Sequence, residues 1–335
     1  MSQGNRGFTN IGNTCYMNSA LQCLIHLDEL NPRNELFKEN IRRSSKKGFT
    51  LLKQWIQLYK EMWDENDQTY IQTKPFILTF IRRCQDENIY FEVFNQNDVS
   101  EFLTAFINLL HEEICRAVNI VVSGEPKDEM DRLQVKSIKT WQQYFNEKYS
   151  FIIQDFHSQA LNLTCCPECK YTTTNLDPLM TISLDINSLT DSIYDCLNEY
   201  TNDFTLDDEN KWKCDNCNKV VQCQKKNKFW KLSPIVVIMI KQYNDNISKI
   251  EKFIKYPRIL NMEAYCINYK SLSMNYELQS ICIHNGSLGG GHYYAYCKNN
   301  KTKKWMKYND TNVYDIDQDS VFKQKPYCLF YKRIN

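Results

Sequence analysis

The chain has 335 residues, of which 42% are apolar and 24% charged, and its net charge is +1. That is enough apolar material for a large core. The balanced charge argues against a general nucleic-acid or anionic-membrane footprint, which needs a clustered basic excess. The opening residues hold no apolar run, and the longest such run, residues 234–240, is too short to span a bilayer. A soluble intracellular protein without membrane insertion is expected. Fifteen cysteines, an odd number, point to free thiols, metal ligands or a catalytic thiol rather than a disulfide framework.

Near the start, Gly7, Asn10, Gly12 and Asn13 make a turn-rich approach to Cys15. Ala20, Leu21, Leu24 and Ile25 then recur at helical spacing. A thiol at a helix N-terminus meets the positive end of the macrodipole and unpaired N–H groups, and both favour thiolate. The Asn10 amide can fold back to the same spot. An amide beside a nucleophile's own N–H is how an oxyanion hole is built. The competing reading of Cys15 is a small buried hydrophobe.

From Asp98 onwards, Val99, Phe102, Leu103, Phe106, Leu109, Leu110 and Ile114 mark one face of an amphipathic helix. Asn95 or Asn97 is its expected cap. Residues 123–129 read as an exposed loop and residues 201–210 as a second polar stretch. Two CxxC knuckles flank the second stretch, Cys166 with Cys169 before it and Cys214 with Cys217 after it. Four thiolates so paired suit a closed, structural tetrahedral metal site. Cys165 competes for the first position, and the CxxC spacing favours Cys166. Lys225, Lys226, Lys228 and Lys231 read as a solvated strand face.

The last third reads as strands over residues 235–243, 276–284, 292–298, 304–308 and 327–334, rich in β-branched and aromatic side chains. Helices first and strands later give an α+β fold. Of the five histidines, His26 and His111 lie among apolar residues of helices and read as structural, and His157 carries no assignment. His292 follows Gly289, Gly290 and Gly291, a run that lets a backbone come close to another chain and move. His284 ends the preceding strand, across the loop from His292. A cysteine nucleophile needs such a base, and the base needs an orienting partner. Asn309 and Asp310 are both candidates. Asn309 would fix the tautomer by hydrogen bonding alone; Asp310 would add charge, or act on the oxyanion region.

Together these blocks resemble the ubiquitin-specific proteases. Residues 7–19 are similar to that family's Cys box, residues 96–103 and 109–113 to its central acidic motif, and residues 283–286, 291–294 and 305–310 to its His box. The resemblance implies a single catalytic domain over residues 1–335, an α+β papain-like cysteine peptidase hand. Its helical thumb would occupy 1–115, its β fingers and part of the palm 155–240, and the β palm with the His box 241–335. It implies Cys15 as nucleophile, His292 as base, Asn309 as third member, Asp310 as a supporting residue and Asn10 as oxyanion donor. It implies substrate contacts at Gln96, Asp98, Glu101, His284, Gly291 and Tyr293, with the charge of Asp98 meeting the arginines of ubiquitin's Gly-Gly tail. It implies a structural zinc on Cys166, Cys169, Cys214 and Cys217 in a ribbon at the fingertips, and no cofactor for catalysis. Asn97, Ser100 and Ser158 depart from the family's pattern. The implied activity is a deubiquitinase, with ubiquitin and ubiquitinated proteins as partners. The other readings are a ubiquitin-binding scaffold, a protease for another Gly-Gly-tailed modifier, and a zinc-containing nucleic-acid binder, which the charge balance disfavours.

Overall fold

The first part of the chain is helical: α1 (Cys15–Ile25), α2 (Glu35–Arg43), α3 (Leu51–Trp63), α4 (Lys74–Asp86) and α5 (Val99–Ile114). α6 (Glu129–Tyr144) and α7 (Phe151–Phe156) follow. Two short strand pairs stitch this part together, β1 (Gly7–Phe8) with β2 (Tyr70–Ile71) and β3 (Arg116–Ala117) with β4 (Lys148–Tyr149). These elements come from a computed structural model that describes residues 3–44, 48–65, 68–92, 95–243, 248–267, 272–287 and 290–334. Gly289, central to the expected glycine run, lies outside the described residues.

α5 buries every apolar position expected of it. Its cap, however, is Asp98 rather than Asn95 or Asn97, with the Asp98 carboxylate accepting the Ser100 N–H at 2.7 Å. The Asn97 amide turns instead to the Tyr16 hydroxyl at 3.2 Å. α1 buries all eleven of its residues, polar ones included. Burying polar groups is tolerable only if they find partners. Ser19 donates to the Tyr16 carbonyl and Gln22 to the Arg6 carbonyl, each at 2.9 Å. His26, just beyond α1, is buried against the Gln22 carbonyl at 2.8 Å and the Tyr308 hydroxyl at 3.0 Å, a structural role as expected.

α3 is capped at both ends by distant charges. Thr50 makes no side-chain cap. Instead the buried Glu113 accepts the N–H groups of Thr50, Leu51 and Leu52 at 3.2, 3.0 and 2.8 Å. At the other end the buried Arg6 donates to the carbonyls of Glu61 and Met62 at 2.5 and 2.9 Å. A carboxylate at the N-terminus and a guanidinium at the C-terminus both match the helix dipole.

β5 (Ser158–Cys165), β6 (Thr172–Leu179), β8 (Phe204–Thr205) and β11 (Gln224–Lys231) form a four-stranded sheet in the order β6-β5-β11-β8, with α6 packed on β6. A hairpin of β9 (Trp212–Lys213) and β10 (Val220–Val221) and the helix α8 (Ile193–Thr201) belong to the same stretch of chain.

The main sheet holds β7 (Thr181–Asp185), β12 (Ile235–Lys241), β14 (Asn275–Ser287), β15 (Gly290–Lys298), β16 (Trp305–Asn309), β17 (Asn312–Ile316) and β18 (Cys328–Arg333) in the order β17-β16-β15-β14-β18-β12-β7. β13 (Ile259–Asn261) pairs with β14. All pairs are antiparallel except β12 with β7. The five strands expected from the sequence are all here; β7 and β17 are additions. Alternation along the strands feeds two cores. Val237, Met239, Cys282, Ala295 and Phe330 face the helical part and α1, while Val236, Ile238, Ile281, Tyr296 and Leu329 join a second core with α8. α1 lies across β14, β15 and β16. After β17 comes α9 (Gln318–Val321). Among the described residues, no helix is long and apolar enough to cross a membrane.

The Glu113→Ala variant leaves the first N–H groups of α3 without acceptors. Its stability should fall by about 2–4 kcal/mol, read as a lower urea midpoint in equilibrium denaturation.

Candidate active site and cysteine cluster

The turn before Cys15 is built around one side chain. The Asn10 carbonyl oxygen accepts from the N–H groups of Gly12 and Thr14 at 3.0 and 3.2 Å and from the Thr14 hydroxyl at 3.1 Å. That leaves the Asn10 amide free to donate to Asp310 Oδ2 at 3.0 Å. Asp310 sits in the tight turn between β16 and β17 with a left-handed φ of 49°. Its second oxygen accepts from Asn18 Nδ2 at 2.8 Å, and its carbonyl accepts the Phe8 N–H at 2.8 Å. Gly7 runs so close to this turn that a Cβ there would lie 2.3 Å from the Asp310 carbonyl oxygen.

Cys15 opens α1 and is 7% exposed. The N–H of Tyr293, on β15, faces its sulfur. Burial nonetheless pushes the thiol above its ordinary value, and the Asp310 charge pushes the same way; the N–H groups of Tyr293, Tyr16 and Cys15 itself oppose them. Burial thus opposes the thiolate that the helix terminus favours. The stabilising N–H groups are present, but desolvation outweighs them.

His292, half-buried at the start of β15, makes a 2.6 Å hydrogen bond from Nε2 to Asn309 Oδ1. An amide oxygen only accepts, so Nε2 carries a proton and donates it. Asn309 rather than Asp310 therefore meets the imidazole. The two neighbours diverge because Asn309 is the last residue of β16 while Asp310 already belongs to the turn.

The remaining expected residues form two groups around the start of β15. Gln96 Oε1 accepts the Gly291 N–H at 3.0 Å, joining the approach to α5 to the main sheet. A Cβ at Gly291 would lie 2.0 Å from His284 Nε2, so only glycine fits there. His284 lies within β14 rather than at its end, and its ring centre lies 4.5 Å from that of Tyr293, the two rings tilted by 34°. Burial and the charge of Lys249 lower its pKa to about 4, leaving it neutral near pH 7. Asp98 takes a hydrogen bond from the Tyr327 hydroxyl in addition to capping α5. Asp98, Glu101, Thr181, Lys241 and Tyr327 line an open groove of about 720 Å³ between α5 and the β7–β12 edge.

A second centre lies beyond the end of β5. The sulfurs of Cys166, Cys169, Cys214 and Cys217 all lie within 4.8 Å of one another, a cluster able to hold a metal ion. Cys166 and Cys217 approach to 3.8 Å, and Cys169 and Cys214 to 3.6 Å. Tetrahedral bonds of about 2.3 Å imply sulfur separations of about 3.8 Å, so the donor set fits a zinc-sized ion. The two knuckles repeat one design. Cys166 bonds Tyr171 and Lys170 as Cys214 bonds Lys219 and Asn218, and Lys170 and Asn218 share left-handed φ values of 60° and 57°. Cys165 remains outside, as the last residue of β5.

A family model described as ubiquitin carboxyl-terminal hydrolase matches residues 6–331. The chain belongs to the ubiquitin carboxyl-terminal hydrolase family. Ubiquitin carboxyl-terminal hydrolase 2 of Bos taurus is 28% identical, covering 99% of this chain and 55% of the bovine protein. Usp2 of Drosophila melanogaster is 31% identical, covering 99% of this chain and 35% of the fly protein. The chain therefore spans about half the length of such relatives, or less. A solved structure of the SAGA DUB module, Ubp8/Sgf11/Sus1/Sgf73 bound to monoubiquitin, superposes with a TM-score of 0.74 at 26% identity, covering 99% of this chain and 70% of that one. Family and α+β hand agree with the expectation from the sequence.

Two polar residues of this site escaped sequence reading. Asn18 is hidden in an apolar helical pattern, although its position one turn after Cys15 places it beside the thiol. Tyr327 was absorbed into a strand. With burial raising the Cys15 thiol, alkylation of the resting protein by iodoacetamide should keep accelerating with pH beyond the range of an ordinary thiol. Rates measured against Cys15→Ala check this, and a plateau below that range would contradict it.

Proposed function

We propose that this hydrolase is a thiol-dependent deubiquitinase that cuts after the C-terminal glycine of ubiquitin. The observation that carries the reading is the meeting of distant stretches of the chain: Asn10 on Asp310 at 3.0 Å, His292 on Asn309 at 2.6 Å, and the Tyr293 N–H facing the Cys15 sulfur. The tail of ubiquitin lies along the groove beside α5, where Asp98 and Glu101 offer negative charge to its arginines. Gln96, His284, Gly291 and Tyr293 shape a channel narrow enough to demand two glycines.

His292 Nδ1 takes the Cys15 proton, because Asn309 holds the other ring nitrogen. This removes the obstacle that burial creates, since the thiol loses its proton only as the sulfur attacks. The sulfur adds to the glycine carbonyl. The Cys15 N–H and the Asn10 amide receive the oxyanion, and Asp310 supports Asn10. The imidazolium protonates the leaving lysine amine. The thioester is then hydrolysed by water, with His292 as base.

The four-cysteine cluster holds a structural zinc in this proposal, where it cross-links the two knuckles and supplies no catalytic chemistry. Fifteen cysteines without a disulfide suit a reducing, intracellular compartment. Ubiquitin and ubiquitinated proteins are the partners. No nucleic acid is invoked: Lys226 is paired with Asp203 at 3.2 Å, and Lys228 donates to the Ala264 carbonyl at 3.3 Å.

Ubiquitin carrying an electrophile at its C-terminus should form a covalent adduct with the wild-type chain and none with Cys15→Ala. Cys15→Ala should still bind ubiquitin. Adduct formation only with a different Gly-Gly-tailed modifier would move the substrate class. An adduct that survives in Cys15→Ala would displace the nucleophile. Metal analysis should find one zinc per chain, lost in Cys166→Ser and in Cys214→Ser but kept in Cys165→Ser; a metal-free wild type would remove the zinc.

A further inference from the structure

We infer that Asn18 is a positioning residue that orients the oxyanion donor, fixing the Asp310 carboxylate and through it the Asn10 amide. The inference rests on the deubiquitinase reading above.

Asn18 is 2% exposed, on α1 one turn beyond Cys15. Its Nδ2 donates to Asp310 Oδ1 at 2.8 Å and to the Thr9 carbonyl at 3.2 Å, and lies 3.5 Å from the Phe8 carbonyl. All of these are acceptors. The amide therefore has one permitted orientation, because a flipped carbonyl oxygen would face a carboxylate and two carbonyls. In that orientation its own Oδ1 is buried with no hydrogen-bond partner among the described residues. An unpaired buried oxygen is unfavourable. A site that needed only filling would be better served by an apolar side chain, so the observation points to what the NH2 group does.

Asn10 is exposed, and Asp310 is the one side chain to which its amide is bonded among the described residues. Asp310 divides its oxygens, Oδ2 to Asn10 and Oδ1 to Asn18. Asn18 thus sets the plane of the carboxylate on which Asn10 is aimed. It also anchors the Thr9 carbonyl, directly before Asn10. It spends part of a negative charge that would otherwise oppose the oxyanion.

Asn18→Asp is nearly isosteric and sets a second carboxylate against Asp310. With ubiquitin bearing a fluorogenic amide at its C-terminus, kcat should fall about tenfold or more while KM moves less than about twofold. Iodoacetamide alkylation of Cys15 forms no oxyanion, so in Asn18→Ala, which adds no charge near the thiol, its rate should stay within about twofold of wild type. Asn10→Ala should cost about a hundredfold in kcat, and adding Asn18→Asp should slow it little further, because Asn18 acts through Asn10. Lowering the pH puts a proton on the carboxylate pair and restores one donor. The activity of Asn18→Asp relative to wild type should therefore rise as pH falls. If Asn18→Asp does not fold, Asn18→Ala removes the donor without adding charge and serves the same comparison. Wild-type kcat in the variant would overturn the inference. So would alkylation of Asn18→Ala falling in step with its turnover, or additive losses in the double variant. A wild type that does not hydrolyse ubiquitin conjugates would overturn the deubiquitinase reading itself, whereas an active wild type with an unaffected variant overturns this inference alone.

Discussion

The Asp310 carboxylate accepts amide hydrogen bonds from Asn10 and Asn18, which lie 300 and 292 residues away in sequence. Its carbonyl holds the Phe8 N–H, and its backbone leaves room for nothing larger than hydrogen at Gly7. One turn of the main sheet is thereby fastened to the segment that leads into α1. The rest of the site follows from this junction. α1 carries Cys15 away from it in one direction. The pairing of β16 with β15 carries His292 into place in the other. A charged group suits the task because it can accept from several donors at once, and each bond to a carboxylate is stronger than its neutral counterpart.

The same charge has a cost at the sulfur. Burial and Asp310 both raise the Cys15 thiol, against three N–H groups that lower it. The division of labour between neighbouring residues fits that condition. Asn309 brings no charge to the imidazole and fixes only its tautomer. Asp310 keeps its charge, already bonded to two amides, on the other side of the turn.

What could be read from the sequence follows from where the periodic signal is strong. The strands that became β12, β14, β15, β16 and β18 are apolar on both faces because the main sheet separates two cores. α5 is legible because its apolar residues fall on one side. β17 and α6 left little trace: β17 is an edge strand with every residue at least partly exposed, and α6 buries only Leu133 and Ser137. The cap of α5 was misplaced because Asn95, Asn97 and Asp98 are all capping types, and only the backbone decides which stands at the boundary. The residue types around the thiol were visible, but their pairings were not. Which of Asn309 and Asp310 meets His292 depends on where β16 ends, a property of the hairpin and not of either side chain. Asn18 and Tyr327 act from within segments whose apolar pattern accounts for them without any further role. The cysteine knuckles were the opposite case, since CxxC spacing describes a local turn that needs no distant partner to be recognised.

β18 occupies the middle of the main sheet, with β14 on one side and β12 on the other. Among the described residues, it is the one strand that joins the half carrying His292 and Asn309 to the half that borders the groove. During synthesis Cys15 is made long before this strand. Until the chain is made as far as Arg333, the two halves of the sheet have no common edge, and α1 has no complete surface to bury itself on. Until then Cys15 has no complete site around it. The order of residues along the chain thus holds back assembly of the site until β18 is in place.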